Sequence, residues 1–309
     1  MYKSKRIGVV IPAYKVKEFL SEVVLSLPEF IDDIIVVNDA CPIQSYTAID
    51  SLSKVNIIHL EKNQGVGGAV LAGYQEALKS SCDIVVKVDG DGQMDTSKIV
   101  SLIEPIIAEK ADYTKGNRFR DFEKIKQMPL IRFIGNSCLS LIMKFVSGYW
   151  SIMDPTNGFT AVSLPVLKEL NLNKIAKRYF FESDMLINLN IYNFRVKDIP
   201  IPAIYGDENS SMNIKLILLQ FPLKLLKGFF KRITLKYLVL DFNVVFIFYI
   251  FSIFFLSFGG LFGLYKWIES IQYHQFASTG TVMLSVLPII LGVQLLLQAI
   301  QLDIYSEPK

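Results

Sequence analysis

Residues 242–265 contain no charged side chain, and neither do residues 282–301. As helices these stretches reach roughly 36 Å and 30 Å, enough to cross a hydrocarbon core of about 30 Å. The sequence therefore predicts an integral membrane protein with a two-helix hairpin near its C-terminus. A buried core helix is the alternative for each stretch, more so for the second, which holds Pro288 and three glutamines. Between Glu208 and Asp241 there is no acid, whereas Lys215, Lys224, Lys227, Lys231, Arg232 and Lys236 all fall there. The segment 266–281 offers only Lys266 against Glu269. The positive-inside rule then puts the N-terminal part and the C-terminal tail in the cytoplasm.

The expected organisation is a globular part over 1–208, amphipathic juxtamembrane helices over 209–238 and a first span over 239–266. A non-cytoplasmic loop over 267–281, a second span over 282–302 and a tail over 303–309 follow. Within 213–237 a basic, aromatic-rich helix, broken near Pro222, is expected to lie among the lipid headgroups, with packing on the globular part as the alternative. The start, MYKSKRIGVVIPAY, has too short an apolar run for a signal peptide.

Composition narrows the classes. With 51% hydrophobic and 20% charged residues the chain is not disordered, and a net charge of +3 gives no reason to expect nucleic acid as a partner. Cys41, Cys82 and Cys138 form no C-x-x-C pair, and His59 and His274 are the only histidines. Neither a disulfide framework nor a histidine metal site is supported.

In the globular part, IGVVI (7–11), DIIVVN (33–38), VNIIHL (55–60) and DIVVKVD (83–89) read as strands buried on both faces. Segments 17–27, 45–53 and 66–79 between them read as helices. The fold class is α/β, a mostly parallel, Rossmann-like sheet with helices on both faces. Ligands of such sheets bind beyond the carboxyl ends of the strands. Each end here is polar or glycine-rich: Pro12-Ala13-Tyr14, Asn38-Asp39, the loop 62–69 with Asn63 and Gly65, and Asp89-Gly90-Asp91-Gly92-Gln93. Two carboxylates one residue apart at a strand end offer hard oxygen ligands for Mg²⁺ or Mn²⁺, with substrate phosphate completing the shell. An ordinary polar turn is the plain alternative. The glycine loop fails the dinucleotide fingerprint, since Val70 stands where a third glycine is needed. That disfavours a nucleotide-dependent oxidoreductase.

The motifs VVIPAY (9–14), IIVVNDA (34–40), KNQGVGGA (62–69), KVDGDGQ (87–93), GNRF (116–119), DPTNGF (154–159) and FFESDML (180–186) resemble the family 2 glycosyltransferases of GT-A fold. Together with the two spans they look like the polyprenyl-phosphate glycosyltransferases, a group that includes dolichol-phosphate mannosyltransferase and bactoprenol-phosphate glucosyltransferase. The resemblance implies a metal-dependent, inverting transfer of sugar from a UDP- or GDP-sugar to a polyprenyl phosphate at the cytoplasmic face. By it Pro12, Ala13, Tyr14, Asp39, Asn63, Gly65 and Asp89 hold the nucleotide sugar. Asp89 and Asp91 hold the metal, Asp91 more directly. Gln93 stands near the metal and the acceptor phosphate, and Arg118 and Arg132 face phosphate groups. Glu182 and Asp184 stay open between three roles: a base, as in relatives that glycosylate hydroxyls; a group that orients sugar or acceptor; and plain acids at a helix N-terminus. Where many relatives read A-Y-N-E-E, this chain reads Ala13-Tyr14-Lys15-Val16-Lys17. A hydroxyl acceptor on a lipid-linked saccharide, or an inactive membrane scaffold, are the rival functions. Two spans per chain leave apolar surface that a homo-oligomer would cover.

Overall fold

Strand β1 (Ile7–Ala13) is apolar throughout because both its faces are covered. Ile7, Val9, Ile11 and Ala13 join Leu20, Val23 and Val24 of helix α1 (Lys17–Leu25) in the main core. Ile99, Leu102, Ile103 and Ile106 of α3 (Ile99–Ile107) complete that layer. Val10, on the opposite face, lies against Gly73 of α2 (Gly65–Lys79). Helices on both faces explain why the strand reads as a continuous apolar run and not an alternating one.

These features come from a computed structural model that describes residues 1–49, 52, 54–120, 130–202 and 214–309, without the side chains of 120, 130–134, 136 and 214–219. β2 (Asp33–Asn38), β3 (Val55–His59) and β4 (Ile84–Lys87) pair in parallel around β1. Beyond β4 come β5 (Tyr113–Asn117), β6 (Thr160–Ser163) and β7 (Val196–Pro200), in the spatial order β3-β2-β1-β4-β6-β5-β7. β6 runs antiparallel to both β4 and β5, whereas β5 and β7 are parallel. The sheet is thus mostly parallel, as expected. The ends of β2, β1 and β4 stand side by side, which is what assembles a site from distant segments.

Helices α4 (Leu130–Ser147), α5 (Leu164–Glu169) and α6 (Phe181–Ile191) complete the globular part. The chain divides into one unit of Met1–Phe229 with Pro308–Lys309 and a second of Phe230–Glu307. Two expectations are corrected. Of the helix expected over 45–53, the described residues form a single 3₁₀ turn, Ser45–Ala48. Ser45 there is buried and its hydroxyl accepts from the Val16 amide, which ties the turn to the start of α1. Nor does Pro222 break the juxtamembrane helix: α7 (Ile214–Thr234) runs through it and passes into a π-helical turn, Leu235–Leu240. An internal proline costs about 3 kcal/mol. Packing outweighs that here: Leu225 is buried, Phe221 meets Phe180 edge-on at 5.3 Å, and Gly228 fits against Ile187 of α6.

In the second unit, α8 (Val244–Tyr273) and α9 (Thr279–Tyr305) have mean hydropathies of 2.4 and 2.2 and are each long enough to cross a membrane. α8 extends past residue 266, so Lys266 and Glu269 form an i, i+3 ion pair on the helix. Small residues let the two helices approach: a Cβ on Gly259 would fall 2.7 Å from the Ser285 carbonyl oxygen. The Ser285 hydroxyl donates to the Gly259 carbonyl at 3.1 Å. Close backbone approach with a hydroxyl bond across the seam is a common membrane helix contact.

Candidate active site

The turn after β4 is built to present carboxylates. Asp89 follows the strand, Gly90 packs under Val16, and Gly92 takes φ +76°. The Gln93 amide then donates to Asp91 Oδ1 at 3.0 Å, which fixes the Asp91 side chain. Asp89, Asp91, Gln93 and Arg118 line one cleft of about 140 Å³ with Thr156, Asn157 and Gly158. Four expected site residues thus come together from the end of β4 and the end of β5.

Arg118 engages the fully buried Asp154 through Nε at 2.8 Å and Nη2 at 3.1 Å. That fork fixes the guanidinium plane at the cleft wall. Asp154 opens the DPTNGF segment, so the segment and the arginine are set by one interaction.

A second group gathers at the ends of β1 and β2. Asp39 is 2% exposed, and its carboxylate accepts from the Gln64 amide at 2.6 Å and the Gly65 amide at 2.8 Å. Asn63 Nδ2 donates to the Asp39 carbonyl at 3.2 Å. The carboxylate thus answers the first amides of α2 and pins the glycine loop to β2; Gly65 there has φ +79°. Pro12 and Ala13 end β1 beside Asn38, and Tyr14 projects half-exposed with the Lys15 ammonium 5.5 Å from its ring.

Glu182 reaches this region through a residue that the sequence reading passed over. Lys87, the last residue of β4, is 1% exposed, and its ammonium stands 2.9 Å from Asp89 Oδ1 and 3.5 Å from Glu182 Oε1. Burial opposes its charge, but Asp89 and then Glu182 more than offset this, so Lys87 is held above the ordinary lysine value. Lys115 on β5 is also fully buried; burial pushes it down to about 8, against the pull of Glu182 and Asp154. It donates to the Asn157 carbonyl and so supports the floor of the cleft. Asp198 on β7 accepts from the Met153 amide and from Asn117 Nδ2, both at 2.8 Å. Burial pushes its carboxyl up to about 6. For Lys87 the available signal was a lysine ending an otherwise apolar strand, since a buried lysine needs a partner.

Asp184 stands in the first turn of α6. It is 7% exposed, accepts from the Ala176 amide at 2.8 Å and from Asn188 Nδ2 at 3.1 Å, and is not among the cleft-lining residues. Its bond to the Ala176 amide ties the start of α6 to the preceding loop. Arg132 lies in α4, but its side chain falls outside the described residues.

Two carboxylates on one turn suit a hard divalent cation, and among the described residues no cluster of three or more His, Cys, Asp or Glu forms a full cage. Such a set fits Mg²⁺ or Mn²⁺ held jointly with phosphate oxygens.

The family described as "Glycosyl transferase family 2" matches residues 8–170, just over half of the chain. A UDP-N-acetylglucosamine–dolichyl-phosphate N-acetylglucosaminyltransferase of Methanococcus voltae is 33% identical over 220 residues, covering 66% of this chain and 87% of that protein. The polyprenol monophosphomannose synthase of Mycolicibacterium smegmatis is 26% identical over 206 residues, covering 64% and 77%. In fold the chain is similar to glucosyl-3-phosphoglycerate synthase of Mycobacterium tuberculosis, solved with Mn²⁺, UDP and phosphoglyceric acid. The TM-score is 0.53 at 16% identity, covering 74% of this chain and 78% of that one.

Proposed function

We propose, for a chain that belongs to glycosyl transferase family 2 and is a glycosyltransferase, that it moves a sugar from a nucleotide diphosphate sugar to a polyprenyl phosphate at a membrane. The observation that carries this reading is the cleft in which Asp89, Asp91 and Gln93 face Arg118. The similar transferases that act on dolichyl or polyprenol phosphate favour a lipid phosphate acceptor. UDP- and GDP-sugars are the donors in question, with Mg²⁺ or Mn²⁺.

Asp91, with Asp89 beside it, would hold the cation, and when bound it neutralises the leaving diphosphate as a Lewis acid. Arg118, locked by Asp154, presents charge to phosphate across the cleft. Pro12, Tyr14 and the Asp39-pinned loop frame the nucleotide end. The acceptor phosphate monoester has a second pKa near 6, so it arrives ionised and needs no protein base. This suits a site in which Glu182 is ion-paired and Asp184 is tied to a backbone amide. Orientation and electrostatics then carry the rate. The six cationic residues around α7 favour the cytoplasmic side for the globular unit. Exposed Leu223, Leu226 and Phe230 on that helix suit the headgroup region.

The test uses the full chain in detergent with Mn²⁺ or Mg²⁺, a panel of UDP- and GDP-sugars, and undecaprenyl or dolichyl phosphate. A new glycolipid by mass spectrometry is expected. Transfer only to a hydroxyl acceptor would overturn the phosphate reading, and hydrolysis without transfer would overturn both.

A smaller change probes the cleft floor. A Cβ on Gly158 would strike the Lys87 ammonium and come within 2.7 Å of Asp89 Oδ2. Gly158→Ala is therefore expected to lower transfer roughly tenfold to a hundredfold, since small misplacements at a site are costly. Turnover equal to the parent protein would show that Asp89 needs no fixed position.

A further inference from the structure

Lys87 is a full charge inside the sheet with two carboxylates from separate elements upon it. Asp89 follows the same strand, whereas Glu182 comes from the first turn of α6. The ammonium is nearer Asp89 Oδ1, at 2.9 Å, than Glu182 Oε1, at 3.5 Å. Gly158 leaves the space that the lysine tip fills. Lys115, buried on β5, also feels Glu182, whereas the Lys87 ammonium is shared between Glu182 and Asp89. A buried ion deprived of a partner binds whichever opposite charge remains more tightly.

We propose that Lys87 and Glu182 are positioning residues that form a charge-balancing pair: Glu182 neutralises Lys87, so that Asp89 stays available to the donor's diphosphate and its cation. This rests on the donor reading above. Glu182 is then a counter-charge and not a proton acceptor. Without it, Lys87 has Asp89 as its one carboxylate partner of the two and holds it away from the donor. If Lys87 is removed as well, Asp89 is released.

The consequence is a rescue that no general base would show. Binding of UDP and of GDP with Mn²⁺ is measured by titration calorimetry on the full chain in detergent, the tighter nucleotide serving as the probe, with melting temperature recorded for each variant. Glu182→Gln is expected to weaken binding about tenfold, and Lys87→Met/Glu182→Gln to return it to within about threefold of the parent, a coupling typical of residues in one network. If Glu182→Gln binds as the parent does and only turnover falls, Glu182 is a base and the proposal is overturned. A double variant no better than Glu182→Gln overturns it equally. If Glu182→Gln does not fold, recovery of folding in the double variant supports the pair, and failure to recover sinks it. No binding of either nucleotide by the parent chain would instead remove the donor reading, and this proposal with it.

Discussion

Asp91→Asn is expected to cut sugar transfer by at least about a hundredfold while leaving the melting temperature unchanged. The substitution keeps size and shape, and an asparagine oxygen can still accept from the Gln93 amide as Asp91 Oδ1 does at 3.0 Å. What is lost is the charge, at the place where a divalent cation and a diphosphate are read to meet. Cation affinity at a two-carboxylate site depends on both charges, because the protein contributes few other ligands. Excess Mn²⁺ is expected to recover part of the loss. Turnover within about tenfold of the parent would remove Asp91 from the metal site.

Asp184→Asn supplies the contrast. Its carboxylate serves the Ala176 amide and Asn188, so the amide should lower stability and reduce transfer less than Asp91→Asn does. Equal losses in the two variants would point to an obligatory base, and with it to a hydroxyl acceptor.

Much of this site was legible because buried parallel strands leave a plain trace. IGVVI and DIIVVN are apolar on both faces, and the polar residues after them stand out by position alone. DGDGQ was legible for the same reason. The Lys87–Glu182 contact was not, because a lysine before an acid in KVDGD reads as a local pair. Its second partner stands nearly a hundred residues away, brought near only by the packing of α6. The Asp154 fork on Arg118 is likewise a pairing across β5 and the DPTNGF segment, and neither residue's spacing announces it. Asp39 shows a third limit. A strand-end acid points to a ligand site by residue type, yet the fold also uses it to satisfy the first amides of α2. Pro222 shows the reverse: a local rule was legible and tertiary packing overrode it.

The largest stability effect is expected in the pair of apolar C-terminal helices. Asp303 lies in the last turn of α9, where the helix dipole disfavours an acid. It is 2% exposed, and Arg232, fully buried, grips it at 2.7 Å and 2.9 Å. Tyr237, from the π-helical turn, donates to Asp303 Oδ1 at 2.5 Å and also meets the Ser306 hydroxyl. Lys236 donates to the Ser306 carbonyl at 3.3 Å. The chain before α8 is thus bound to the end of α9, which holds the two ends of the helical pair together. Asp303→Ala takes from a buried guanidinium the carboxylate that grips it, which costs about 3–5 kcal/mol. The melting temperature in detergent should fall by about 5 °C or more. Arg232→Met/Asp303→Leu should recover most of that, because an apolar pair of similar volume carries no charge to desolvate. A double variant less stable than Asp303→Ala would mean that the pair specifies the geometry of the hairpin and does not merely neutralise itself. In that case transfer to a lipid acceptor should fail in the double variant while UDP binding survives.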